Sequence, residues 1–195
     1  MKILKVKITL LEELLGTASA NPDVQREYIA SKAPDASTIE DEVAAIGVNA
    51  AVEKSMTVFP RDGGKPILYD YQVKGFFKDA CGALWRVPGT ISNKTKAYKK
   101  IIDGVIFVQP RKIHFDLSGV IGNCQRPLRA ETAQGPRVAL ANSETIPAGS
   151  SFTAEITLLD EGLEKLLREW LDYGRLRGLG QWRNSGKGRF TWLEA

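Results

Sequence analysis

The stretch of this chain that decides its fold is Gly178-Leu-Gly-Gln-Trp-Arg-Asn-Ser-Gly-Lys-Gly-Arg-Phe190. Glycine adopts positive φ without steric cost and lets another backbone approach closely, so its density here predicts a tight, irregular loop. Backbone N–H groups in such a loop can bind anions, basic side chains suit phosphate, and tryptophan can stack on a base. We predict nucleic-acid contacts at Gly178, Gly180, Trp182, Arg183, Gly186, Lys187, Gly188 and Arg189. The alternative is an ordinary turn with solvated basic side chains.

The elements around this loop follow regular hydrophobic patterns. Apolar residues recur at helical spacing over residues 163–176, which predicts an amphipathic helix before the loop, and residues 190–193 form a short strand after it. Residues 151–159 alternate between apolar and polar side chains, as do residues 2–10, which is typical of half-buried strands. A second helix is predicted over residues 71–85. Asp62-Gly63 lies between two apolar runs and predicts a hairpin.

The order of elements predicts an α+β fold. We expect one domain over residues 1–195, with an antiparallel sheet of ferredoxin-like type and helices on one face. Residues 16–50 show little periodicity apart from a short helix at 39–46, so we expect a mobile insertion after the first strand. Further strands are predicted at 105–108, 112–117 and 137–140, with a loop over 119–135.

Composition excludes several classes of protein. The 195 residues are 43% hydrophobic and 26% charged, as in ordinary soluble domains, and no apolar run is long enough to span a membrane. Two cysteines and one histidine provide too few ligands for a usual zinc site, so neither metal nor cofactor is expected. The net charge of +4 slightly favours an anionic partner. We expect a cytoplasmic location.

Three basic positions outside the loop are further candidates for phosphate contact. Lys74-Gly75 lies near the start of the predicted second helix, where backbone N–H groups attract anions. Arg126 and Arg129 lie in a segment with proline and glycine and could bind a nucleic-acid backbone. The alternatives are an ordinary surface lysine on a core helix and two arginines in a solvated loop.

Catalysis has little support in the sequence. His114 lies in a predicted strand with no acid, serine or cysteine in a recognisable motif, so it is better explained as a structural histidine. Asp23 lies in the long first loop, where a carboxylate could activate a hydroxyl or hold a metal ion, although aspartate there is usually a turn former. The residues therefore favour a non-catalytic protein.

Three segments in order resemble a known family. They are Pro66-Ile-Leu-Tyr-Asp-Tyr-Gln-Val-Lys-Gly, then Ile146-Pro-Ala-Gly-Ser-Ser-Phe, then the glycine-rich loop. This order resembles the RAMP superfamily of CRISPR-associated proteins, above all the single-domain backbone subunits that line guide RNA. The resemblance implies a modified ferredoxin-like (RRM-like) core, RNA binding, and head-to-tail self-assembly or contact with CRISPR effector subunits. It places the RNA-contacting lysine of that family at Lys74.

Two departures from the family pattern keep alternatives open. Gln72-Val73 replaces the usual serine-containing pair before the lysine, and Asp23 lacks the surroundings of the aspartate that cuts target RNA in some backbone subunits. We therefore predict a non-catalytic RNA-binding protein, a subunit or a mimic of one, host-encoded or carried by a phage. The alternatives are a metal-assisted endoribonuclease using Asp23 or His114, and a protein-interaction module that acts on an effector complex without binding RNA.

Overall fold

A computed structural model of the chain describes residues 1–19, 56–132 and 135–195, with residues 128–132 and 136–139 described at the level of the backbone. The chain divides into two compact units. Met1–Leu14, Pro60–Val120 and Ile146–Ala195 form the first unit, and Leu15–Phe59 and Ile121–Thr145 form the second. The helix predicted at 39–46 and the insertion beyond residue 19 lie outside the described residues. The single-domain assignment stays a prediction.

The described part of the chain contains twelve strands and three α-helices. In chain order they are β1 (Lys2–Leu10), β2 (Leu14–Leu15), β3 (Ala18–Ser19), β4 (Thr57–Val58), β5 (Arg61–Asp62), β6 (Lys65–Tyr69), α1 (Asp70–Leu84), α2 (Tyr98–Val105), β7 (Ile106–Gln109), β8 (Lys112–His114), β9 (Gly122–Thr132), β10 (Gly135–Ile146), β11 (Ser151–Leu158), α3 (Glu164–Tyr173) and β12 (Phe190–Glu194).

The main sheet of the first unit has four antiparallel strands in the order β12-β1-β11-β7. Side chains alternate between its two faces, since successive residues of a strand point to opposite sides. On β1, Leu4, Val6 and Ile8 are buried, whereas Lys5 and Lys7 are exposed. One face of the sheet therefore belongs to the core, and the other face is open.

Two helices complete this core. Helix α1 buries Phe76 and Phe77 among other apolar residues, as the helical spacing predicts. The Phe77 ring stacks on Trp170 of α3 with centroids 5.7 Å apart, and the Phe76 ring meets Phe190 of β12 edge to face at 5.0 Å. Helices and antiparallel strands thus form separate runs around one apolar core, which confirms the α+β class.

A smaller sheet in the same unit has the order β5-β6-β8. Its hairpin turns at Gly63 and Gly64, both with positive φ, so the turn lies where the sequence predicts it, with Arg61 and Asp62 already in a strand. Helix α2 was not predicted, because its consecutive lysines and glycine hide the apolar face that buries Ile102. No helix in the described segments is long and apolar enough to cross a membrane.

The second unit is built on a long β-ribbon. Strands β9 and β10 pair antiparallel from Gly122↔Thr145 to Thr132↔Gly135, and short strand β4 pairs with β10 in parallel at Thr57↔Ser143. The prediction of a loop over residues 119–135 is wrong for most of that range, because β9 occupies 122–132. The sequence of β9, with one glycine, one proline and many polar residues, lacks the alternation of apolar and polar side chains by which a strand is recognised. Strand β9 forms because it is hydrogen-bonded to β10 along its whole length, and its own sequence does not indicate this pairing.

Candidate functional site

The C-terminal loop closes on itself through its glycines. The Leu179 N–H donates to the Gly188 carbonyl at 2.9 Å, and the Gly188 N–H donates to the Glu13 carbonyl at 2.9 Å. A Cβ atom at Gly178 would lie 2.1 Å from the Gly188 carbonyl carbon. Gly180, Gly186 and Gly188 all have positive φ. The glycines therefore allow two backbone segments to touch, and the apolar side chain of Leu179 is buried beneath them.

The basic residues of this loop are paired with carboxylates of the same chain. Lys187 forms an ion pair with Glu13 at 2.5 Å, and Arg189 forms one with Glu12 at 3.1 Å. Arg183 contacts Asp79 of α1 at 2.9 Å. The prediction of phosphate contact depends on the positive charge of these three residues, and the carboxylates largely neutralise that charge. The sequence indicates the cations, but not their acidic partners, which are distant in the chain.

Arg177, which was not among the predicted site residues, holds the start of the loop. Its Nε and Nη2 both donate to the carboxylate of Asp79, with Nη2 to Oδ1 at 3.3 Å. The hydrogen bonds that Arg177 donates to Asp79 raise the pKa of Arg177 above its ordinary value despite partial burial. Asp79 therefore binds two arginines and ties α1 to the loop.

Trp182 has an uncommon backbone for a bulky residue. Its φ of 53° places it in the left-handed region, which side chains with a Cβ avoid. The side chain is 39% exposed. A strained, partly exposed aromatic residue is a candidate for ligand contact, so the predicted stacking role of Trp182 stays a prediction.

Lys74 lies beside the edge of the main sheet. Its Nζ donates to the Asp103 carbonyl at 3.2 Å and lies 5.3 Å from the centroid of the Phe107 ring on β7. This cation–π contact spans from α1 to the edge strand. Gly75 has open space around it, since a Cβ there would meet no atom within 4 Å. The sequence thus locates the lysine, and the structure adds an exposed aromatic neighbour.

The open face of the main sheet carries polar residues that were not among the predicted site residues. Lys5 is paired in register with Glu155, and Glu155 with Gln109, so the three residues form a row across β1, β11 and β7. Lys7 follows Lys5 on the same face of β1. Among the described residues, neither lysine has an ion-pair or hydrogen-bond partner. The alternation of β1 contains the signal that could have found them, because its polar positions are mainly lysines.

A groove of about 670 Å³ joins this face to Lys74. Its lining includes Lys5, Lys74, Phe107, Gln109 and Glu155, all within the first unit. The lining also includes the ion pair of Asp70 with Arg111. The groove therefore combines two ammonium groups, the Glu155 carboxylate, one amide and one aromatic ring with an internally paired carboxylate and guanidinium. Such a set of groups can bind a ligand that has both a planar ring and hydrogen-bonding edges.

The two arginines predicted outside the loop lie on β9 of the second unit. Arg126 is 6% exposed, and its Nη1 donates to Ser143 Oγ on β10 at 3.1 Å. This bond ties the two strands of the ribbon together. The backbone of Arg129 lies opposite Val138, and its side chain is outside the described residues. Both arginines belong to the second unit, whereas the glycine-rich loop and the groove belong to the first. The RNA contacts of Arg126 and Arg129 stay predictions.

His114 has an acidic neighbour that the sequence did not reveal. Its Nε2 lies 3.1 Å from Oδ2 of Asp62, across the small sheet, and Lys112 Nζ lies 2.6 Å from Oδ1 of the same carboxylate. The hydrogen bond from Lys112 lowers the pKa of Asp62, with a smaller contribution from His114. The same bond raises the pKa of Lys112. Asp23 lies outside the described residues, and those that are described contain no cluster of three or more metal-ligating side chains.

Comparison with known proteins identifies similar structures but no family. No family model and no curated protein matches the chain. The chain is similar to one in the cryo-EM structure of the Type III-B Cmr-beta bound to cognate target RNA, with a TM-score of 0.53 and 13% identity over 98% of its length. It spans 58% of that chain. It is also similar to a chain of a Type IV-B CRISPR complex, with a TM-score of 0.50 and 11% identity, covering 100% of this chain and 90% of that one. At identities this low, the structural similarity shows a shared fold alone.

Proposed function

We propose that this protein is a non-catalytic, RNA-binding subunit of a CRISPR-type ribonucleoprotein. The observation that carries this proposal is the fold, which is similar over nearly the whole chain to subunits of two CRISPR complexes, one of them bound to RNA. The RAMP-like order of sequence segments supports it independently. In this proposal the four-stranded sheet β12-β1-β11-β7 and its two helices are a ferredoxin-like core.

The charge on the open face supports binding to a polyanion. Lys5 and Lys7 project from β1 with no partner among the described residues, and Lys74 lies beside the same face. Lysines that are not neutralised by the chain itself are available to phosphate, and each phosphate contact releases counterions. In the glycine-rich loop, Arg183, Lys187 and Arg189 would first have to exchange their carboxylate partners. We therefore assign the main RNA contact to the open face and a supporting role to the loop.

The test is binding to single-stranded RNA at several salt concentrations. We expect the protein purified at low salt to carry nucleic acid, seen as a raised ratio of absorbance at 260 nm to that at 280 nm, and to lose it at high salt. Added RNA should bind with an affinity that falls linearly with the logarithm of salt concentration. Binding that does not depend on salt, or no binding at all, would contradict the proposal.

Assembly is a second part of the proposal. Backbone subunits of the family that the sequence resembles stack head to tail, so we propose that several copies bind along one RNA strand. Size-exclusion chromatography with light scattering should show a mass that increases in steps with RNA length. A discrete protein oligomer or partner complex without a raised 260/280 nm absorbance ratio would instead support the protein-interaction module.

One contact favours the endoribonuclease alternative. The Asp62 carboxylate lies 3.1 Å from the imidazole of His114, as in sites where an acid orients a general base. If RNA incubated with the protein is cut, His114→Ala should abolish the cleavage. Intact RNA after incubation with and without Mg²⁺ would support the non-catalytic role.

A further inference from the structure

The row of Lys5, Glu155 and Gln109 has an order that suits one kind of ligand edge. Neighbouring strands lie roughly 4.8 Å apart, and residues paired in register point to the same face. Across three adjacent strands the row therefore presents a donor, an acceptor, and an amide that can donate. A planar ligand placed over the row would meet these groups in that sequence.

The groups of this row are not used by the protein itself. Lys5 and Glu155 are opposite each other, yet they form no ion pair, and within the described residues neither they nor Gln109 makes a side-chain hydrogen bond. Elsewhere the chain pairs its charges closely, as at Lys187 with Glu13. Groups without internal partners are solvated in the absence of a ligand and can exchange water for a ligand without breaking a protein contact.

An exposed aromatic ring lies beside the row. Phe107 is two residues before Gln109 on β7, points to the same open face, and is 42% exposed. Lys74 Nζ lies 5.3 Å from the centroid of its ring. The groove that holds these residues measures about 670 Å³, within the range of roughly 300–1,000 Å³ of small-ligand pockets. A ring that stacks on Phe107 can thus reach the polar row with its edge.

We propose that this groove binds a single unstacked guanine base of RNA, an inference that rests on the proposed RNA-binding function. Lys5 donates to guanine O6. The Glu155 carboxylate accepts from N1–H and N2–H, which fit its two oxygens. The Gln109 amide donates to N3, and the exposed part of the Phe107 ring contacts the base. Lys74 lies where it can reach the phosphate of the same nucleotide.

The same row discriminates against the other bases. Uracil presents an acceptor to Lys5, a single N–H donor to Glu155 and a second acceptor to Gln109. It therefore forms one hydrogen bond fewer than guanine, because Glu155 accepts from one donor instead of two. Adenine and cytosine each place a ring nitrogen lone pair where the row has the Glu155 carboxylate, and each presents an amino group to Lys5. Leaving these polar groups unpaired beneath the base weakens binding. The expected order is guanine, then uracil, then adenine and cytosine.

The test uses short adenosine-rich RNA oligonucleotides that differ at one internal position, with binding followed by fluorescence anisotropy at fixed salt. With the unmodified protein, guanosine at that position should bind about tenfold more tightly than adenosine, the scale of one good bidentate base contact. Glu155→Gln should remove this difference, because the amide cannot accept from both guanine donors and can donate to adenine N1. The all-adenosine strand should therefore bind to this variant at least as tightly as to the unmodified protein. The matched control is Glu161→Gln, which removes one exposed carboxylate outside the groove and should keep the preference.

The outcomes separate this inference from the proposed function. Equal affinity for all four oligonucleotides, or a guanine preference that persists in Glu155→Gln, overturns the guanine site while RNA binding stands. If no oligonucleotide binds, the proposed function fails, and NMR titration with guanosine and adenosine monophosphates decides the site. Shifts at the Gln109 side-chain amide with the guanine nucleotide alone support the site, and equal shifts or none overturn it.

Discussion

Gly178 and Gly188 face each other where the two ends of the C-terminal loop meet. A Cβ at Gly178 would lie 2.1 Å from the Gly188 carbonyl carbon and 2.3 Å from its oxygen. Backbone atoms cannot move aside as a flexible side chain can. Any residue other than glycine at this position therefore separates the two segments and breaks the hydrogen bond from Leu179 to Gly188.

Gly178→Ala should destabilise the protein for this reason. We expect a loss of about 1–3 kcal/mol or more in the free energy of unfolding, as for other overpacked sites. The matched control is Gly75→Ala in α1, where a Cβ meets nothing within 4 Å. That change should stabilise the protein by about 0.5–1 kcal/mol, because alanine is the better helix former. Chemical denaturation measures both, and equal effects of the two changes would contradict this explanation.

At the level of elements, a buried polar network joins the segment after α1 to α3. Ser92 Oγ donates to Glu169 Oε2 at 2.5 Å and accepts from Trp170 Nε1 at 3.0 Å. The same carboxylate accepts from the backbone N–H groups of Ile91 and Ser92. The thiol of Cys81 lies in the same place, where burial raises its pKa, so it stays protonated. One hydroxyl therefore bonds two side chains of α3 and joins that helix to the segment after α1.

Ser92→Ala should destabilise the protein by about 1–3 kcal/mol, the cost of a buried donor left without an acceptor. The donor concerned is Trp170 Nε1, and the fluorescence of that tryptophan should change together with the unfolding midpoint. Ser185→Ala, at an exposed position, is the control and should leave both unchanged. If the two alanine variants unfold at the same denaturant concentration, the network has no stabilising role.

Charged contacts between α3 and the strands of the main sheet make stability depend on pH. The hydrogen bond from Lys2, and then that from Arg168, lower the pKa of Glu164 below its ordinary value. Because the pKa is lower in the folded state, this carboxylate stabilises the fold above its unfolded pKa, and the stabilisation is lost as pH falls through the folded value. Arg168 in turn pairs with Glu194 of β12.

Glu164→Gln should therefore weaken the acid dependence of stability. Urea unfolding across acidic pH should show a smaller loss of stability in Glu164→Gln than in the unmodified chain. The slopes of the two profiles should differ most between the lowered pKa of the folded state and the ordinary pKa of the unfolded state. Glu155→Gln is the control, since this carboxylate has no ion-pair partner in the described residues. A pH profile of Glu164→Gln parallel to that of the unmodified chain would show that these contacts are absent in solution.

Local patterns predicted those elements whose signals are local. The first strand, α1, α3 and the last strand agree with their hydrophobic spacing to within a few residues, because burial of one face dictates that spacing. Strand β9 and helix α2 were not predicted, because neither shows a clear hydrophobic periodicity in its sequence. Contacts with other elements of the fold stabilise them instead. The glycine-rich loop was found by composition. Its ion pairs with Glu12, Glu13 and Asp79 depend on contacts between distant parts of the chain.

On the scale of the whole molecule, the cations proposed here for RNA contact include two contrasting groups. Those of the glycine-rich loop are neutralised by carboxylates of the chain, whereas Lys5 and Lys7 on the open face have no partner among the described residues. The net charge of +4 does not distinguish the two groups. The register between β1 and β11 does distinguish them, because it places Lys5 beside Glu155 and Lys7 beside Thr153 on the solvent side of the sheet.

This division predicts which lysines carry the salt dependence of RNA binding. The measurement uses an all-adenosine strand, in which the proposed contact of Lys5 with guanine is absent. On that strand, Lys5→Gln and Lys7→Gln together should reduce the slope of log affinity against log salt by about 0.7 for each phosphate that the protein no longer neutralises. Stability should change little, since neither lysine side chain has a partner in the described part of the chain. Binding measured at four or more salt concentrations gives the slope.

Lys187→Gln is the control that removes a paired cation. It leaves Glu13 without its ammonium partner, so it should lower the unfolding midpoint while the salt slope stays near that of the unmodified protein. The reverse result, in which Lys187→Gln reduces the slope and the β1 variants do not, would transfer the RNA-binding role from the open face to the glycine-rich loop. In that case RNA phosphate would replace the Glu13 carboxylate at Lys187, and the ion pair would open when RNA binds.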